Sequence, residues 1–112
     1  MARKIIFFEN HFINFYQKQD SKVKEKIQYV LELIRQVDRV PKKFLKHLTG
    51  TDGLYEIRVQ YQSNIYRIFC CFDEGNLIIL FNGFQKKTQK TSKKEIDKAL
   101  TIKKKYFNSK NK

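Results

Sequence analysis

The order of hydrophobic periodicities in this chain predicts an α+β fold in one domain: a strand, two helices, a three-stranded meander and a last helix. Three observations carry that expectation. Residues 54–84 alternate side-chain character through three runs separated by short polar joints, which is the period of a strand. Val23, Ile27, Val30, Leu31, Ile34 and Val37 recur at the spacing that makes one stripe on a helix. A length of 112 residues suits a single domain, one that buries roughly two-thirds of the surface its unfolded form would expose.

The N-terminal run Ile5-Ile6-Phe7-Phe8 reads as a first strand. It follows a basic start but is too short for a secretory core, and Glu9-Asn10-His11 interrupts it. A short helix over residues 10–19 follows, with Phe12, Ile13, Phe15 and Tyr16 as its buried side. Asp20 or Ser21 caps the longer helix, whose Lys22, Lys24, Glu25, Lys26, Glu32 and Arg35 lie mostly off the apolar stripe. Pro41 marks the end of the helical region. Residues 42–53 form a basic connector with Phe44, Leu45 and Leu48 as anchors and Gly50 and Gly53 as turns. Strands over 54–61, 64–72 and 77–84 are joined by Gln62-Ser63 and by Asp73-Glu74-Gly75-Asn76, both short enough for antiparallel hairpins. Ser92 and Glu95 have capping-box spacing and open the last helix, which Ile96, Ala99, Leu100 and Phe107 give a buried side.

One face of the first hairpin collects Tyr55, Ile57, Val59, Tyr61, Tyr66, Ile68, Cys70 and Phe72, an apolar set fit for a core. The other face holds Glu56, Arg58, Arg67 and Phe69. A two-residue loop pairs 61 with 64 and sets Arg58 directly opposite Arg67. Like charges facing each other across strands are destabilising, so a sheet that keeps them there has an anion to hold. Continuing the meander through a four-residue turn pairs 67 with 82, which sets Asn82 beside Arg67 and Lys86 beyond the same end of the sheet.

Charge names the class of anion. The chain carries 24 Lys and Arg against 11 Asp and Glu, a formal net charge of +13. Eleven lysines against two acids in residues 84–112 supply nine of those charges. Self-repulsion of that size is expected where a polyanion neutralises it, and nucleic acid rewards it through counterion release. A solvated, lysine-rich tail that only promotes solubility is the plainer reading of the tail alone; the arginine pair on the adjacent sheet weighs against it. No apolar run approaches the ~20 residues of a membrane span. Cys70 and Cys71 are strand neighbours pointing to opposite faces, so they form no ordinary structural disulfide; free thiols imply a reducing, cytosolic compartment. His11 and His47 are far apart with no ligand spacing around them, and no P-loop or dinucleotide fingerprint occurs, so no metal, cofactor or small-molecule ligand is expected. Phe69 either stacks a splayed base or lies under the last helix, and the second is favoured.

Leu54-Tyr55-Glu56-Ile57-Arg58-Val59, then Tyr66-Arg67-Ile68-Phe69, then Gly83-Phe84-Gln85-Lys86-Lys87-Thr88-Gln89-Lys90-Thr91 ahead of a lysine-rich helix resemble a HigB-like toxin, in the phage-derived branch of the RelE/ParE toxin superfamily. The resemblance implies a twisted, mainly antiparallel four-stranded sheet flanked by two N-terminal helices and a C-terminal helix. It also implies a metal-independent, ribosome-dependent endoribonuclease that cuts translated messenger RNA, restrained by an antitoxin that is commonly a helix-turn-helix protein. On it, Arg58 and Arg67 are the phosphate clamps and Lys86 and Lys87 add cationic stabilisation, with Lys87 in the catalytic set. Lys86, Lys90, Lys93, Lys94 and Lys46 are the expected RNA-binding residues. The chain departs from RelE in holding Glu56 where RelE has a strand lysine, and in having no histidine in the active stretch and no tyrosine between Arg67 and Lys105. Glu56 is then either a general base or a salt-bridge partner that orients Arg58. A ParE-like inhibitor of DNA gyrase, a non-catalytic RNA- or ribosome-binding module, and a decayed prophage toxin are the alternatives.

Overall fold

The computed structural model describes residues 2–87 and 92–110. In chain order the elements are β1 (Lys4–Phe7), α1 (His11–Gln17), α2 (Ser21–Gln36), β2 (Leu45–His47), β3 (Tyr55–Tyr61), β4 (Asn64–Phe72), β5 (Leu77–Lys86) and α3 (Lys93–Lys110). They build a five-stranded sheet in the order β1-β5-β4-β3-β2, in which β1 runs parallel to β5 and the other pairs are antiparallel. The expected sheet had four strands. The fifth is β2, drawn from the basic connector, and three residues on an edge are too few for alternation to show in the sequence.

Both faces of the sheet are covered, and the two apolar sets divide between them. Phe12 and Phe15 of α1 and Val23, Ile27, Val30 and Ile34 of α2 pack on Ile57, Val59, Tyr66, Ile68 and Cys70. On the opposite face Ala99, Ile102 and Tyr106 of α3 close over Leu54, Phe69, Cys71, Ile79 and Phe81. Phe69 is fully buried there, its ring 5.5 Å from that of Phe84, so it lies under the last helix. Both thiols are free and buried, and burial pushes the Cys71 thiol up to about 11. Among the described residues no helix is long and apolar enough to cross a membrane.

Helices α2 and α3 start where the sequence puts them. Asp20 accepts a hydrogen bond from the Val23 N–H at 3.0 Å and starts α2. At α3 the Ile96 N–H reaches the Ser92 carbonyl at 3.1 Å, while the Glu95 carboxylate accepts from Asn82 Nδ2 at 3.1 Å and so ties the helix start to β5. The other end of α3 is anchored on the β4–β5 turn. Tyr106 Oη and Lys110 Nζ both donate to Asp73 Oδ2, at 2.6 and 2.5 Å. Those two bonds, Lys110 first, hold the Asp73 carboxyl down at about 2.

The first hairpin has the expected register, with Tyr61 opposite Asn64 and Arg58 opposite Arg67. The second does not. Its turn has three residues rather than four, because the Asp73 N–H donates to the Leu77 carbonyl at 2.8 Å and Gly75 takes a left-handed φ of 65°. A β-bulge then shifts the register again between Ile68 and Cys70, leaving Phe69 opposite both Phe81 and Asn82. Arg67 therefore faces Phe84, not Asn82. Because the bulge restores the alternation that the shorter turn had inverted, Asn82, Phe84 and Lys86 still share the arginine face. The run Leu77-Ile78-Ile79-Leu80-Phe81 is apolar on both sides, so nothing in it could select the register.

Gly83 sits where β5 passes under α1. A Cβ there would lie 2.5 to 2.8 Å from ring atoms of Phe15. Gly83→Ala is expected to cost about 1–3 kcal/mol through overpacking. Thermal unfolding checks this, with Phe15→Leu in the same chain recovering part of the loss.

Candidate functional site

The opposed arginines are held by one carboxylate. Glu56 lies two residues before Arg58 on β3 and is 2% exposed. Its Oε1 accepts from Arg58 Nε at 2.9 Å and stands 3.5 Å from Arg67 Nε, a charge contact too long to satisfy that N–H. Arg67, at 8% exposure, also donates Nη1 to the Tyr66 carbonyl at 3.3 Å. Burial lowers the Arg67 pKa, with Glu56 opposing the shift and Arg58 adding to it. Two cations thus share one anion. Buried and without a hydrogen-bond partner are Glu56 Oε2, Arg67 Nε and Asn82 Oδ1, a concentration of unmet polar atoms that core residues do not normally tolerate.

Lys86 joins this group. It ends β5 opposite Ile65, half-buried on the arginine face. Burial lowers its pKa first, and Arg67 and Arg58 add to the shift while Glu56 opposes it. Lys46 of β2 stands in register with Glu56 and is exposed. Lys87 follows the end of β5 and is exposed. Lys93 and Lys94 are exposed in the first turn of α3, where Lys93 is engaged with Asp97 at 2.9 Å. Lys90 lies outside the described residues. The structure therefore brings together Glu56, Arg58, Arg67, Lys86 and Lys46, and sets Lys87, Lys93 and Lys94 on the surface.

Arg58 and Arg67 open into a cleft of about 500 Å³ whose wall also includes Lys26, Lys43, Phe44 and Gln60. Among the described residues no carboxylate lines it. The sequence reading missed Lys26 and Lys43 as site residues, placing the first mostly off the apolar stripe of its helix and the second in the basic connector. Only tertiary pairing brings them here: the Arg58 N–H donates to the Phe44 carbonyl at 2.8 Å, and α2 packs across β3. No local signal marks either lysine. An enclosure of four cations suits a phosphate diester, since guanidinium groups stay charged and match two oxygens at once. Among the described residues no group of three or more His, Cys, Asp or Glu could hold a metal ion.

Comparison with known proteins bears on the fold and the family. The chain is similar over 90% of its length to a free-state arginine double mutant of E. coli toxin RelE, covering 97% of that chain at 20% identity and a TM-score of 0.64. It is similar over 74% of its length to RelE in an archaeal RelE–RelB complex from Pyrococcus horikoshii, covering 93% of that chain at 14% identity, TM-score 0.55. The toxin–antitoxin complex of RelB and RelE from Methanococcus jannaschii matches over 70% of this chain and 87% of that one, at 17% identity and TM-score 0.53. No curated protein matches the sequence. The fold is therefore that of RelE toxins, and residues 14–104 match the Phage derived protein Gp49-like family, to which this chain belongs.

Proposed function

We propose that this protein is the toxin of a type II toxin–antitoxin system and that it cuts translated messenger RNA on the ribosome. The observation that carries the reading is the Arg58–Glu56–Arg67 cluster at the mouth of a cleft lined by cations. In the reaction the substrate 2′-hydroxyl gives its proton to solvent water as it attacks the adjacent phosphorus, the bond to O2′ forms, and the bond to the leaving 5′ oxygen breaks. Arg58 and Arg67 bind the phosphate and stabilise its added charge in the transition state. Lys86, with its pKa lowered by burial and by the arginines, is the general acid that protonates the leaving oxygen. Glu56 holds both guanidinium groups in place through its contacts to Arg58 and Arg67. Lys46, Lys87, Lys93 and Lys94 extend the cationic surface toward ribosomal and messenger RNA, and the resemblance adds Lys90 to the expected RNA contacts. The ribosome positions the message, which lowers the demand on the protein's own acid and base.

Two of the structural relatives are in complex with an antitoxin. A cognate antitoxin is accordingly the second partner, a helix-turn-helix protein with an acidic surface against this chain's net charge of +13. Both partners place the protein in the cytoplasm.

Reconstituted translation with the purified protein tests the reading. Messages engaged by ribosomes are cut and free messages are not; intact messages under both conditions would defeat the proposal. Lys86→Ala in the same assay lowers the single-turnover rate by about 10²-fold or more. The wild-type rate also falls as pH rises through a Lys86 pKa below the ordinary lysine value, because the acid loses its proton. A pH profile without that limb would remove Lys86 from the role.

A further inference from the structure

We propose that the cationic cleft is the start of a track for single-stranded RNA that leaves Arg58 and Arg67, passes Lys43 and Lys26, and ends on the rings of Tyr29 and Tyr61. The inference rests on the nuclease reading above and states where the message lies beside the scissile phosphate.

The track exists because β2 is short. It pairs with β3 only from Leu45, opposite Ile57, to His47, opposite Tyr55. Past Arg58 the outer edge of β3 has no neighbouring strand among the described residues, and the cleft turns round this edge from the α3 face to the α2 face, where Lys26 borders it. Lys26 also borders a second, shallower cleft of about 250 Å³ that includes Tyr29 and Tyr61. The two clefts share that lysine, and the track joins them there.

Along the path cations and rings alternate. Lys43 Nζ stands 5.0 Å from the centroid of the Phe44 ring, and Lys26 Nζ stands 5.1 Å from that of Tyr29. Tyr29 is 55% exposed on α2, with the Lys26 ammonium over its ring. Grooves for single-stranded nucleic acid are built this way, with ammonium groups following the phosphates and aromatic faces stacking the bases. Glu25, the one carboxylate among the described residues bordering the second cleft, is exposed and faces Lys22 at 4.0 Å. An acidic peptide would use the lysines but has no need of an exposed aromatic ring beside them, so RNA is the better match.

The test is fluorescence anisotropy of the full chain with a 2′-O-methyl hexanucleotide, which binds but cannot be cut, over a range of salt. Lys26→Ala with Lys43→Ala is expected to reduce the slope of log affinity against log salt by about 1.4, two contacts at about 0.7 each. Tyr29→Ser is expected to weaken binding about tenfold and Tyr29→Trp to restore it. Melting temperatures near that of the parent show that these surface changes leave the fold intact. Parental affinity and slope in all variants would overturn the track, while ribosome-dependent cutting that is lost in Arg67→Ala would leave the nuclease reading standing. A parent that neither binds the oligonucleotide nor cuts messages would defeat both. Unchanged RNA binding with lost binding of a polyglutamate peptide in the lysine variant would assign the cleft to an acidic peptide and overturn the proposal.

Discussion

Arg67→Ala is expected to slow single-turnover cleavage of ribosome-bound message by about 10²–10³-fold, the usual cost of removing a preorganised charge from a developing oxyanion. The fold should survive. Glu56 keeps its 2.9 Å bond to Arg58, so truncating Arg67 leaves no unpaired buried carboxylate, and it relieves the like-charge opposition across β3 and β4. Ribosome binding should persist too, since exposed lysines on β2, just past β5 and along α3 supply most of the accessible charge. The expected signature is a loss in the rate of the chemical step with little change in ribosome affinity. Arg67→Lys should recover little, because an ammonium cannot present two parallel N–H groups to a phosphate. Cleavage at the parental rate in Arg67→Ala would show that the phosphate sits elsewhere.

The second large effect is on stability. Glu56→Ala leaves Arg58 and Arg67 facing each other with no anion between them, one at 30% side-chain exposure and the other at 9%. Breaking a buried ion pair from one side costs about 3–5 kcal/mol. For a domain of this size that lowers the melting temperature by roughly 10–20 °C. Inorganic phosphate should restore part of the loss by occupying the vacated place, a stabilisation by binding to the folded state alone. Thermal unfolding of parent and variant with and without phosphate measures both parts, and a variant that melts with the parent would contradict the bridging role. Glu56→Gln separates that role from general base catalysis. It keeps an acceptor for Arg58, so a positioning residue loses little rate, whereas a general base would lose about 10²–10⁴-fold.

The arginine pair was legible in the sequence because the first hairpin specifies its own register. Tyr55, Ile57, Val59 and Tyr61 alternate with polar residues, so a one-residue slip would bury Arg58 and expose the core side. The second hairpin lacks that restraint. Its strand is apolar on both faces, and neither the three-residue turn at Gly75 nor the bulge opposite Phe69 is written in an alternation that Leu77-Ile78-Ile79-Leu80-Phe81 does not have. The resemblance makes Lys86 a cationic RNA contact; its half-burial beside Arg67 depends on the bulge and on two further residues of β5. Lys26 and Lys43 reach the cleft through long-range packing that a periodicity cannot report. Glu56 had two readings in the sequence, and only the 2.9 and 3.5 Å contacts reveal that it bridges both arginines rather than pairing with one.

The central claim is that the Arg58–Arg67 site cuts messages during translation. Mapping messenger RNA 5′ ends in cells that express the protein without its antitoxin, with Arg67→Ala alongside, tests it most directly. The account predicts new ends within translated regions that vanish in Arg67→Ala and when initiation is blocked. Growth arrest with intact messages and blocked DNA supercoiling would contradict it and point to gyrase as the target.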